Sequence, residues 1–287
     1  MIKKWILAVF AIGFIVTACS NDDDNSPTTA TLTLNLQGLE PLGNDYVYEG
    51  WIIVDGTPVS TGIFNSVTFP QSFTVNALQL TNATTFVLSI EPANDPDPAP
   101  AATKLLVGDF TGDTANVTTD IVGDFSNASG AFFLRTPTDE MGTNNGNDQN
   151  GVWFGTPGMP PTPNFVLPVL PNGWAYEGWV VGDSGPITTG VFLEFDTVDD
   201  FDMFSETMQP GPPVPGEDFF LNAPAGETFP LDVRGRTVVI SVEPVPDNSP
   251  MPFTLKPLVA TAGQETAPAT HNFVQNLSSL PIGTVTR

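Results

Sequence analysis

The sequence predicts an all-β fold, two tandem antiparallel β-sandwich (Ig-like) domains behind a leader segment. Three observations predict it. Glycine and proline number 26 and 29, which argues against long helices. Val, Thr, Ile and Phe fill the short runs between these breakers, the pattern of short strands and turns. And part of the chain occurs twice, so the repeat sets the architecture.

The chain divides in order into a leader (1–18), an acidic tether (19–29), repeat 1 (30–137), a linker (138–150) and repeat 2 (151–287). The leader begins Met1-Ile2-Lys3-Lys4, and an apolar run from Trp5 to Val16 follows. That run is shorter than the roughly 20 residues of a membrane span. A positive start, a short apolar stretch and small residues before a cut describe a secretory signal. The cut site Val16-Thr17-Ala18-Cys19 resembles the lipobox of bacterial lipoproteins. The resemblance implies that Cys19 carries lipid, including an acyl group such as palmitate, and becomes the mature N-terminus. Cys19 is the only cysteine, so no disulfide within the chain competes for it. The tether Ser20-Asn21-Asp22-Asp23-Asp24-Asn25-Ser26-Pro27 is polar and acidic. It can bury nothing, and it resembles the acidic export signal of some surface lipoproteins.

Within repeat 1, Tyr48-Glu49-Gly50-Trp51-Ile52-Ile53 reads as a strand apolar on both faces, hence central and covered. Asp55-Gly56-Thr57-Pro58 is turn chemistry, and a second strand follows to Phe64. Repeat 2 gives Tyr176-Glu177-Gly178-Trp179-Val180-Val181 at an offset of 128. Val87 to Pro92 returns as Val239 to Pro244 at an offset of 152, which also matches Lys104 with Lys256 and Arg135 with Arg287. The 24 extra residues in repeat 2 form an acidic and aromatic insertion at about 193–230. The linker, Asp139 to Gly151, is Asn, Gly, Asp and Gln in its latter half and has little to bury.

These blocks resemble the extracytoplasmic C-terminal domain of anti-sigma-K factors. That family has a Tyr-x-x-Trp strand, a Pro-x-x-x-Gly-x-Phe hairpin arm and a strand ending in Val-Glu-Pro. The matching residues are Tyr48, Trp51, Pro58, Gly62, Phe64 and Ile90-Glu91-Pro92, then Tyr176, Trp179, Pro186, Gly190, Phe192 and Val242-Glu243-Pro244. The likeness implies a sensing or binding role outside the cytoplasm. The family's cytoplasmic helical domain and transmembrane helix have no counterpart in the sequence, so sigma-factor inhibition does not carry over with it.

Charge narrows the partners. With Lys3 and Lys4 removed in the leader, six basic residues face 32 acidic ones, a net charge of −26. Such a surface repels phosphate backbones and excludes nucleic acid. No catalytic constellation is expected. Gly182-Asp183-Ser184-Gly185-Pro186 looks like a serine-protease nucleophile sequence, but its repeat partner is a plain turn without serine, and the single histidine, His271, follows rather than precedes it. One histidine cannot make a zinc site; no metal and no cofactor is expected.

Glu49 and Glu91, with Glu177 and Glu243, are the matched glutamates. A strand glutamate among covered neighbours needs a partner, so Lys104 and Lys256 are expected to form structural ion pairs with them. Asp196, Asp199, Asp200 and Asp202 in the insertion make a candidate ligand or calcium loop, since alternating carboxylates supply oxygen ligands. Trp51 and Trp179 are expected in the core, whereas Trp153 and Trp174 have no matched tryptophan and are candidates for exposure. Together these readings give a non-enzymatic outer-membrane lipoprotein, exposed at the cell surface or the periplasmic face, acting as a binding, sensing or structural module. The membrane is its partner through Cys19, with a protein or glycan as second partner. The rivals are a component of an anti-sigma-like signalling system, an adhesin or glycan binder if Trp153 or Trp174 lies open in a groove, and an enzyme if carboxylates converge in a pocket without basic partners.

Overall fold

The computed structural model describes residues 27–140, 144–247 and 249–287. The leader, Cys19 and most of the tether lie outside the described residues. The first copy supplies β1 (Thr29–Gln37), β2 (Tyr46–Val54), β3 (Thr57–Phe64), β4 (Gln71–Asn76), the short helix α1 (Ala77–Asn82), β5 (Thr85–Pro92), β6 (Lys104–Thr111), β7 (Thr114–Val117) and β8 (Ala131–Phe133). The second supplies β9 (Gly151–Phe154), β10 (Trp174–Val181), β11 (Pro186–Phe192), β12 (Gly216–Asp218), β13 (Thr237–Pro244), β14 (Leu258–Thr261), β15 (His271–Asn272), β16 (Val274–Gln275) and β17 (Ile282–Thr286). All pairings between these strands are antiparallel, and the all-β expectation holds.

The repeat is structural as well as sequential. Strand β2 pairs with β3 and β5, as β10 pairs with β11 and β13. Both hairpins shift register at the matched Gly-Trp step, Gly50/Trp51 and Gly178/Trp179. Glycine is required at that step. A Cβ on Gly50 would stand 3.2 Å from the Phe86 ring, and one on Gly178 would stand 2.4 Å from the Phe154 ring. The Tyr48 hydroxyl donates to the Glu40 carbonyl at 2.8 Å, and the Tyr176 hydroxyl to the Pro168 carbonyl at 2.6 Å. Asp55 adopts a positive φ of 51° in the first hairpin turn, next to Gly56 at 77°, the left-handed pair a two-residue hairpin favours.

The sheets do not respect the boundary between copies. The first copy's strands join in the order β3-β2-β5-β6-β7-β17-β1-β4, so the chain's last strand sits in the middle of the first copy's sheet. Five residues of β17 pair with β1 and four with β7. Conversely β8, the last strand of the first copy, lies between β9 and β15 in the second copy's β12-β9-β8-β15 sheet. Strands β8 and β17 correspond at the offset of 152. The two copies have therefore exchanged matched terminal strands, and the linear segments 30–137 and 151–287 cannot each close their own sheets. This corrects the linear reading of the domains. The core follows the strands: one cluster of buried apolar side chains runs from Leu32 to Val285 and includes residues of both copies.

Candidate functional site

Each copy contains the same buried polar chain. The Trp51 indole N–H donates to Ser89 Oγ at 2.8 Å, and Trp179 does so to Ser241 at 2.8 Å. Ser89 then donates to Glu91, and Ser241 to Glu243. Glu91 accepts the Ala101 N–H at 2.8 Å, and Glu243 the Phe253 N–H at 2.9 Å. Lys104 Nζ donates to the Ala101 carbonyl at 2.9 Å, and Lys256 Nζ to the Phe253 carbonyl at 2.6 Å. Glutamate and lysine thus grip one loop residue from its two polar sides.

The expected ion pairs are not formed. Salt bridges among the described residues join Arg135 to Glu140, Arg234 to Asp232 and Arg236 to Asp183, and none involves Lys104 or Lys256. Glu49 and Glu177 instead accept from the hydroxyls of Ser60 and Thr188 on the neighbouring strand. The physical reason is local: a backbone N–H and a hydroxyl satisfy the strand glutamates, and the lysine amines turn to the Ala101 and Phe253 carbonyls instead. The repeat signal that marks the network is Trp51 with Ser89 and Trp179 with Ser241, which the search for charged partners passed over. Replacing Lys256 by Met should cost only about 1–2 kcal/mol, the worth of one charged donor, read from urea unfolding at pH 7. A loss near the ~4 kcal/mol of a broken buried pair would restore the ion-pair reading.

Electrostatics set the second copy apart. Burial pushes Glu243 up to about 8 and Glu177 up to about 7 against the opposing pull of their hydroxyl donors. Lys256 is lowered by burial, with Glu40 and Glu243 pulling the other way. The carboxylate oxygens of Glu177, Glu243 and Asp247 lie within 4.8 Å of one another. Glu243 and Asp247 face a cavity of about 400 Å³ shared by both copies. Its wall is apolar, with Leu42, Tyr46, Ile90, Pro92, Val245 and Phe253, and Glu40, Asp45 and Asp247 add acidic groups. An apolar pocket at a domain junction with a few converging polar groups is the common form of a ligand site. Convergence of carboxylates was the feature expected of an enzyme, but Glu243 and Glu177 hold strand and loop donors here, as Glu91 and Glu49 do in the first copy.

The insertion builds a second cavity of about 500 Å³, walled by Asp199, Asp200, Asp202 and Glu206 with Trp153 beside them. The four aspartates of the candidate calcium loop do not converge. Asp199 accepts the N–H groups of Gly216 at 2.7 Å and Phe201 at 3.0 Å, and Asp200 accepts that of Val191 at 2.8 Å. Asp196, Asp200 and Asp202 are exposed. Two of the four carboxylates fasten the loop instead. The interleaved phenylalanines anchor it too: Phe195 stacks on Phe165 at 4.2 Å, and Phe204 packs edge-on to Phe229 at 5.2 Å.

Trp153 and Trp174 are 3% and 2% exposed, so neither is the open aromatic that a glycan groove needs. Trp153 is drawn inward because its indole N–H donates to buried Asp218 at 2.8 Å. Ser184 bonds Glu227, and His271 bonds Gly263 and Glu265, so serine and histidine are each spent locally. Among the described residues no helix is long and apolar enough to cross a membrane.

Residues 24–104 match the family model described as anti-sigma-K factor rskA, C-terminal. The matched segment includes β1 to β5 and the first copy's share of the 400 Å³ cavity, from Glu40 to Thr103. It includes Tyr48, Trp51, Gly62 and Glu91, so the resemblance read from the motif residues is confirmed there. No curated protein and no solved structure matches the chain.

Proposed function

We propose that this chain is a non-enzymatic binding and sensing module of the cell envelope, held to the outer membrane by lipid on Cys19. The carrying observation is the cavity between the copies, apolar in its wall and acidic in its polar groups, with just over a third of its lining outside the family-matched segment. Its ligand has an apolar body and presents positive charge or hydrogen-bond donors to Glu40, Asp45 and Asp247. Anti-sigma-like signalling is the second reading, favoured by the family match alone; the ligand would then be the signal. The adhesin reading lacks the open tryptophan it asked for.

A photo-crosslinking residue at Leu42, on the cavity wall, tests the site in intact cells. One discrete adduct is expected, lost when Ala102→Trp fills the cavity. The adduct should fractionate with membranes, and with the soluble fraction after Cys19→Ser. Adducts that ignore Ala102→Trp would move the site elsewhere, and a membrane-bound Cys19→Ser product would end the lipid-anchor reading.

A further inference from the structure

The insertion of the second copy carries charge that the fold does not use. Residues 193–230 hold nine acidic residues and no basic one. Most have structural work. Asp199 and Asp200 hold the N–H groups of Gly216 and Val191, Glu217 and Asp218 are buried, and Glu227 accepts from the Asp183 and Ser184 N–H groups. Asp202 and Glu206 differ. Both line the cavity of about 500 Å³, the first exposed and the second half-buried. Among the described residues their carboxylates accept no hydrogen bond and meet no base. Apolar surface lies beside them. Val198, in the cavity wall, is 57% exposed, and Met203 and Met208, each next to a wall residue in sequence, are 58% and 51% exposed. Exposed apolar side chains rimmed by polar ones mark interaction surfaces, and methionine suits them because its unbranched side chain adapts to a partner.

The walls are held in place. The Glu206 N–H donates to Thr138 Oγ1 at 3.1 Å, the Gln209 N–H to the Thr138 carbonyl at 3.0 Å and the Gly216 N–H to Asp199 at 2.7 Å. A site fixed before binding loses less to ordering. We propose that this cavity and its apolar rim are a docking surface for a basic segment of a partner protein. Charge chooses the occupant. Asp202 and Glu206 attract a lysine or arginine head, whose methylene stem lies along Phe201 and Pro210 in the wall. The same charge repels nucleic acid and anionic bilayers. Size separates a protein from a small amine. A free amine fills the cavity and leaves Val198, Met203 and Met208 in water, whereas a peptide segment extends over them. The surface shares no wall residue with the 400 Å³ cavity, so it is a second site and does not depend on a ligand there.

The test is fluorescence anisotropy on the purified full chain at low salt. The probe is a short fluorescein-labelled peptide of alternating arginine and leucine. The unaltered chain should bind it saturably. Asp202→Asn with Glu206→Gln should weaken binding about tenfold, the worth of two part-exposed ion pairs. Val198→Ser with Met208→Ser should weaken it about fivefold through lost apolar contact. Asp113→Asn with Asp120→Asn removes the same charge from exposed positions outside the insertion and should change affinity by less than about twofold, as screened distant charges do. All three variants alter exposed or half-exposed side chains, so each should melt with the parent. No binding to the unaltered chain would overturn the proposal. So would an Asp113→Asn, Asp120→Asn variant that loses as much as Asp202→Asn, Glu206→Gln, because the attraction would then belong to the whole acidic surface. Full affinity in Val198→Ser, Met208→Ser would mean that the cavity takes a lone cationic group, and the protein-docking surface would fall.

Discussion

Removing residues 281–287 should unfold the first copy of the repeat, although the deletion lies at the far end of the second. Strand β17 fills the gap between β1 and β7, and without it both lose their ladder partners. Val285 is fully buried there. Arg287 adds four hydrogen bonds, to the carbonyls of Leu80, Thr81, Ala83 and Gly112, and stands 4.6 Å over the Phe110 ring. Three of those carbonyls end α1, where a cation also meets the negative end of the helix. A domain of this kind holds only about 5–15 kcal/mol in total. Losing a central strand with its apolar side chain and its charged cap exceeds what it can spare.

The milder change Val285→Asp should cost more than about 4 kcal/mol, because it buries a carboxylate with no partner. Arg287→Ala should cost about 2–4 kcal/mol, since donors from a charged group are worth more than neutral ones. Calorimetry on the unaltered chain should show one cooperative transition, as the shared core requires. Hydrogen exchange on Val285→Asp should show the amides of β1 and β7 losing protection first. Earlier loss in β10 and β13 would instead support two self-contained linear domains and contradict the exchange.

The sequence carries the repeat clearly and the exchange not at all, for one physical reason. Strands β2 and β10 are covered on both faces, so their apolar pattern is forced and recurs as Tyr-Glu-Gly-Trp. Strands β8 and β17 stand at corresponding positions, yet Ala131-Phe132-Phe133-Leu134 and Gly283-Thr284-Val285-Thr286 share no residue, and only the arginine after each recurs. Runs this short carry no signal of which copy a strand joins. That choice is made by the geometry of the segments leading into each strand. The linker misled in a different way. Its Asn, Asp and Gly content reports polarity, whereas Asp139, Glu140, Asp148 and Asn150 are buried by the sheets around them. For the matched glutamates and lysines the positions were legible and the connection was not. The repeat marked the charges as matched and suggested direct pairs, whereas in the fold both end on one loop residue, Ala101 or Phe253. The aromatic insertion was readable as a loop with apolar plugs because Phe195, Phe201, Phe204, Phe219 and Phe220 stand among its acids, more aromatic surface than a solvated loop carries.

Stability should fall as pH rises from 5 to 8, the reverse of an ordinary acidic protein stabilised by ion pairs. Burial raises Glu177 and Asp199 to about 7, and Glu217 and Glu243 to about 8. The unfolded chain releases these protons near the usual carboxylate range of about 4. Between that range and about 8 the folded state therefore holds more protons than the unfolded state, and the slope of unfolding free energy against pH is negative. Each group in that window contributes up to about 1.4 kcal/mol per pH unit. Below about pH 4 both states are protonated and the effect vanishes. Above about 8 both are ionised, and the loss is complete. Even one group fully expressed lowers the melting temperature by roughly 10 °C across the window for a chain of this size. Glu243→Gln tests the cause. Its amide oxygen still accepts from Ser241 and Phe253, so stability at pH 5 should be unchanged, while at pH 8 the variant should melt above the parent. The measurement is a series of thermal melts in EDTA from pH 5 to 8. A parent curve that rises with pH, or a variant that parallels the parent throughout, would show that Glu243 is ionised in the folded state and that its neighbours, Lys256 first among them, carry its charge.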